Sequence, residues 1–151
     1  MGLDMYLDKE TYVKNWEHQK PEERHEITIK KGGEVVKNID PTKIKYVVEE
    51  AGYWRKANAI HKWFVDNVQN GRDECQRSYV SQDDLEKLLE LVKAVLEDHS
   101  MAPDLLPTQS GFFFGGTGYD EWYFKDLEDT KKILEAALED PDGEYYYQAS
   151  W

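Results

Sequence analysis

The sequence predicts an α+β fold, a small antiparallel or mixed sheet packed with about three helices. Three observations lead there: apolar residues alternate near the start, two later segments carry apolar stripes at helical spacing, and an aromatic run closes the sequence. Residues 1–151 are read as a single domain, because 151 residues supply side chains for one hydrophobic core but would starve a second.

In "GLDMYLDKETYV" Leu3, Met5 and Leu7 alternate with other residues, the period of a half-buried strand, here placed over 2–8. The polar stretch through Pro21 reads as a loop or short helix. "EITIKKGGEVVKNI" places β-prone runs on both sides of Gly32-Gly33, whose freedom to take positive φ suits a tight turn, so 26–39 reads as a hairpin. The segment "KIKYVVEEAGYW" fits either a helix turn or a strand. A helix is expected over about 54–69, with Ile60, Phe64 and Val68 as its buried stripe beside Trp63. On it Arg55, Asn58 and Lys62 would share another face, and Gly71 follows its end.

"SQDDLEKLLELVKAVLEDHS" is the clearest helix, with Ser81 and Asp84 as a capping box and Leu85, Leu88, Leu89, Val92 and Leu96 as its apolar face. After a proline-punctuated loop, "FFFGG" suggests a short buried strand. A further helix starts at Asp120, with Tyr123, Leu127, Leu134 and Leu138 on one face and acids preceding lysines, as the helix dipole prefers. Asp142-Gly143 then turns the chain into the final strand, "EYYYQASW".

Charge bounds the partners. The net charge is −12, carried mostly by the second half: residues 1–75 sum to −1 and residues 76–151 to −11. Attraction to a phosphate backbone is unfavourable for the whole molecule, so no direct nucleic-acid binding is expected. No apolar run approaches the roughly 20 residues of a membrane span, and Tyr6 stands where a myristoylation motif needs Ser or Thr. A cytoplasmic location without membrane attachment is the expectation. The lone Cys75 excludes an intramolecular disulfide and reads as a structural or incidental thiol.

Two stretches could carry chemistry. In "YWRKANAIHKW" Tyr53 and Trp54 could stack on a flat ring while Arg55, Lys56 and Lys62 meet a phosphate or carboxylate, with Asn58 and His61 alongside. The plainer reading makes the tryptophans core anchors and the cations solvated. In "LLPTQSGFFFGGTGY" Gln109, Ser110 and Gly111 can offer donors, Phe113 and Tyr119 can offer rings, and Gly115, Gly116 and Gly118 allow unusual backbone. A helix starting near Tyr119 would present free N–H groups, although Asp120 and Glu121 occupy the place of an incoming phosphate. Here the plainer reading is core phenylalanines and turn glycines. His61 could be an acid, a base or a ligand, or simply a hydrogen-bonded side chain. No zinc, nucleotide-loop or nucleophile-elbow motif appears, so no cofactor, metal or catalytic residue is assigned.

Taken together, "MGLDMYL", "YWRKANAIHKWFV" and "LLPTQSGFFFGG…YDEWY" resemble a family of small proteins encoded by bacteriophages and prophages. The resemblance covers the start, the middle and the last third of the chain. It transfers no catalytic residue; it implies a setting, the cytoplasm of an infected bacterium, where small accessory proteins act against host defences. The expected function is a non-catalytic binding protein in phage–host conflict (counter-defence), holding a nucleotide-like anionic small ligand between residues 53–62 and 109–119. The alternatives are an acidic inhibitor that binds a host defence protein, by nucleic-acid mimicry or as a surface complementary to a basic cleft, and a small hydrolase or transferase using His61 with a nearby acid.

Overall fold

The computed structural model describes residues 2–151. In chain order the elements are β1 (Asp4–Tyr12), β2 (Lys30–Lys31), β3 (Glu34–Val35), β4 (Tyr46–Arg55), α1 (Asn58–Asn67), β5 (Ser78–Val80), α2 (Gln82–Glu97), α3 (Ala102–Leu105), α4 (Glu121–Leu138) and β6 (Glu144–Ser150). The class is α+β. Four antiparallel strands form a sheet in the order β4-β1-β6-β5, and β2 and β3 pair as a separate ribbon about Gly32-Gly33.

Alternation along β1 sets the two faces of the sheet. Leu3, Met5 and Leu7 are fully buried; Met5 pairs with Trp54 on one side and Ala149 on the other, and Leu7 with Gly52 and Tyr147. Tyr6, Tyr53 and Gln148 therefore occupy the opposite face. Between Leu7 and Asp8 the partner on β4 skips from Gly52 to Glu50, leaving Ala51 as a bulge. There α4 approaches closely: a Cβ built on Gly52 would lie 2.5 Å from Ile133 Cγ2, so the packing distance demands glycine.

The helices supply the other half of the core. Ser81 Oγ accepts from Asp84 N–H and Asp84 returns the bond to Ser81 N–H, starting α2 with the capping box expected. Its buried stripe is Leu85, Leu88, Leu89, Val92 and Val95; Val95 takes the place anticipated for Leu96, which is only partly buried. On α4, Tyr123, Leu127 and Leu134 are buried, and α1 adds Ile60, Trp63 and Phe64. Phe64 stacks on Tyr147 of β6, ring centroids 3.9 Å apart, joining helix to sheet.

Three segments depart from the sequence reading. The stretch 43–54, which by sequence fits either a helix turn or a strand, runs as strand β4 from Tyr46 onward, because pairing along the whole of β1 outweighs its local helix signal. Helix α1 begins at Asn58 instead of 54, because Lys56 takes a left-handed backbone (φ 57) and Ala57 an inverse γ-turn (φ −78, ψ 69), closed by Asn58 N–H donating to Lys56 O at 2.9 Å. "FFF" is a turn, not a strand. Phe114 N–H bonds Gly111 O, Gly115 sits at φ 81, and contact with the sheet is a single bond from Leu3 N–H to Phe113 O, 3.0 Å. The three-residue strand β5 had no counterpart in the sequence reading.

Candidate functional site

The β4–α1 junction leaves a helix start open. Ala57 in the cap position offers no side-chain acceptor, and the first helical bond is His61 N–H to Ala57 O, 3.0 Å. The N–H groups of Ala59 and Ile60 therefore have no hydrogen-bond partner among the described residues. Alanine cannot cap a helix as Ser, Thr, Asp or Asn would, so no side chain caps the positive end of this helix, although Asp120 and Asp126 line the same cleft.

Asn58, itself buried, ties this junction to the glycine loop. Its Nδ2 donates to Phe114 O (2.9 Å) and Gly116 O (2.8 Å), and its Oδ1 accepts from Gln109 N–H (3.0 Å). The loop is closed by Thr108, whose hydroxyl donates to Thr117 O at 2.8 Å and whose N–H donates to Tyr119 Oη at 3.2 Å. Tyr123 donates to Leu106 O at 2.7 Å, and Asp120 caps α4 by accepting from Tyr123 N–H. Between these parts lies a cleft of about 410 Å³, walled by Arg55, Lys56 and the first turn of α1, by Gly115 and Gly116, and by Trp122 and Asp126 of α4.

The electrostatics of the cleft are mixed. Arg55 Nη1 lies 3.0 Å from Asp4 Oδ1, which also accepts from the Tyr53 hydroxyl at 2.5 Å; the Tyr53 bond first, and Arg55 second among the stabilising groups, hold the Asp4 carboxyl below its usual range. Lys56 makes no ion pair among the described residues, so its charge is available at the cleft. Asp126 is pushed up to about 6, mainly by burial and then by the nearby charges of Asp129 and Asp120. Near pH 6 it therefore exists in both forms, as a hydrogen-bond donor or as an anion.

Comparison with protein-family models, curated proteins and solved structures gives no match.

The two stretches singled out in the sequence do meet, through Asn58, but not all of their side chains face the same hollow. Arg55, Lys56 and Asn58 belong to the cleft. Trp54 does not: it is 3% exposed in the core, its indole N–H donating to Thr130 Oγ1 at 2.8 Å, because strand alternation turns it inward. Tyr53, on the opposite sheet face, packs against Tyr6 and bonds Asp4. Lys62 pairs with Asp66 one turn along α1, and with Arg55 on the strand the anticipated Arg55–Asn58–Lys62 helix face does not form. Gln109, Ser110, Gly111 and Phe113 line a second, smaller hollow of about 290 Å³, while Tyr119 accepts from Thr108 and stands edge-on to Tyr123.

His61 is fully buried with both ring nitrogens in use. Nε2 lies 2.9 Å from Asp73 Oδ1, and Nδ1 lies 2.6 Å from the Tyr147 hydroxyl. Burial lowers its pKa, against the opposing pull of Asp73, and a neutral ring donating from Nε2 and accepting at Nδ1 satisfies both bonds. The imidazole is thus closed to a ligand in either hollow. Trp122 and Asp126 were missed by the sequence reading. The available signal was position: Trp122 falls outside the Tyr123–Leu127–Leu134 stripe and is 72% exposed, an indole left in solvent at the edge of the cleft.

Proposed function

We propose that this protein is a non-catalytic binding protein whose cleft holds an anionic, ring-bearing small molecule of the nucleotide class. The observation that carries this reading is the uncapped first turn of α1, lining a cleft with Arg55 and Lys56 at the same wall. Free N–H groups, the positive helix end and the charge of Lys56 together favour a phosphate at that spot, with Arg55, already paired to Asp4, beside them. The base would lie on the exposed Trp122 ring, in the role first anticipated for Trp54, Tyr53 and Phe113. Asp126 would meet a hydroxyl or amino group. A volume of about 410 Å³ lies within the range of small-ligand sites. With the resemblance to phage-encoded proteins, retention of a nucleotide signal in an infected cell, blunting a host defence, is the setting proposed.

Calorimetry against a panel of linear and cyclic nucleotides tests this. At least one member should bind, with Lys56→Gln and Trp122→Ala each weakening binding at unchanged thermal stability. A folded sample silent to the whole panel, or binding indifferent to both substitutions, would remove the proposal.

A second reading, an acidic inhibitor docking on a host protein, draws support from exposed acids along two neighbouring helices: Asp83, Glu86 and Glu90 on α2, and Glu121, Glu128 and Glu135 on α4. It requires capture of a host protein that weakens steeply with salt and survives Lys56→Gln.

A further inference from the structure

We propose that the second hollow, between the turn at 109–114 and Trp151, is a separate binding site for an organic cation, an alkylated ammonium group. It shares no lining residue with the cleft. No lysine or arginine lines it; its walls are Asp73, the amide of Gln109 and the rings of Phe112, Phe113 and Trp151.

Asp73 is held rigidly. Its Oδ1 accepts from His61 Nε2–H at 2.9 Å and from the Trp151 indole N–H at 3.1 Å, while Oδ2 has no hydrogen-bond partner among the described residues. Its one ion-pair contact is His61, whose protonation burial disfavours, and no lysine or arginine stands in the wall to balance the carboxylate. The same carboxylate fixes the Trp151 ring as a wall, edge-on to Phe114 at 6.2 Å. Opposite it, Phe112 is 94% exposed and stands edge-on to Phe113 at 4.8 Å. Gln109 also lines the hollow, with its Oε1 sealed from solvent and without a partner. Aromatic rings and a carboxylate with no lysine or arginine in the same wall suit a positive group whose periphery is apolar, which describes an alkylated ammonium better than a strongly hydrated ion. Such a group is carried by choline-like small molecules and by methylated lysine side chains.

The test follows the Trp151 indole N–H resonance, assigned with Trp151→Phe, during titration with choline, with Nα-acetyl-trimethyllysine amide, and with 3,3-dimethylbutan-1-ol as the neutral match to choline. A saturable shift with at least one ammonium probe is expected, with the neutral compound binding at least tenfold more weakly. Preference between the two cations assigns the source of the ligand. Asp73→Asn should weaken binding at least tenfold. Phe112→Ala, at a side chain almost wholly in solvent, should weaken it about threefold with the melting temperature unchanged. Absence of a saturable shift with either cation, equal binding of the neutral compound, or full affinity in Phe112→Ala would overturn the assignment.

Discussion

Replacing Asn58 by alanine removes the staple on which the cleft depends. The side chain makes three hydrogen bonds to backbone groups, Phe114 O, Gly116 O and Gln109 N–H, and all three join its buried or partly buried amide to the loop. At about 1 kcal/mol net for each bond, the loss is about 3 kcal/mol, more if a backbone group stays dry and unpaired. For a chain of this length each kcal/mol lowers the melting temperature by about 2–4 °C, so a drop of about 6–12 °C is predicted. Thermal unfolding by circular dichroism measures the drop. Amide exchange locates it, because the Gln109 N–H should lose protection well beyond what global destabilisation explains. A melting temperature within about 1 °C of the parent, with Gln109 still protected, would refute the assignment of Asn58 as the link between the two segments.

Gly52→Ala forces a methyl group against Ile133 and should cost about 1–3 kcal/mol by denaturant unfolding, with Ile133→Ala in the same chain recovering part of it; no coupling between the two would refute the close approach. Asp126→Asn should stabilise the protein above pH 7. A carboxyl raised to about 6 in the folded chain, from about 3.9 unfolded, has a ceiling of about 3 kcal/mol, reduced to about 1–2 kcal/mol by partial solvent contact. Because the folded chain binds that proton more tightly, the parent gains this stability as pH falls through 6, and the advantage of the variant should vanish below about pH 4. His61 has the opposite sign: the unfolded chain takes up a proton below about pH 6.5 that the buried ring resists, so its contribution is present above that pH and lost as pH falls. The loss of stability between pH 7 and 5 should therefore be smaller in His61→Gln, and an equal loss in both proteins would refute the neutral buried ring.

What could be read from the sequence was what local pattern controls. The capping box of α2, the Asp120 cap of α4 and the Gly32-Gly33 turn each rest on a few adjacent residues, and each stands in the structure. β4 was ambiguous because its apolar residues form a short run and only pairing with β1 selects the strand. The errors at the site share that origin. Trp54 and Tyr53 are neighbours in sequence and looked like one stacking surface, yet on a strand they point to opposite faces, one into the core and one to solvent. His61 seemed to lack a partner because Asp73 and Tyr147 reach it from a loop and from the far strand β6, 12 and 86 residues away. Lys56 stood out by its charge and the glycine loop by its glycines, and both line the cleft with Asn58, whereas Asp126 looked like any acid on a solvated helix.

The most direct measurement is a titration of the isotope-labelled protein with adenosine monophosphate, following backbone amides. If phosphate seats at the open start of α1, the Ala59 and Ile60 N–H signals move most and saturate together, and Lys56→Gln removes the response. Saturable binding that leaves those two amides in place while shifting others would contradict the cleft as the anion site.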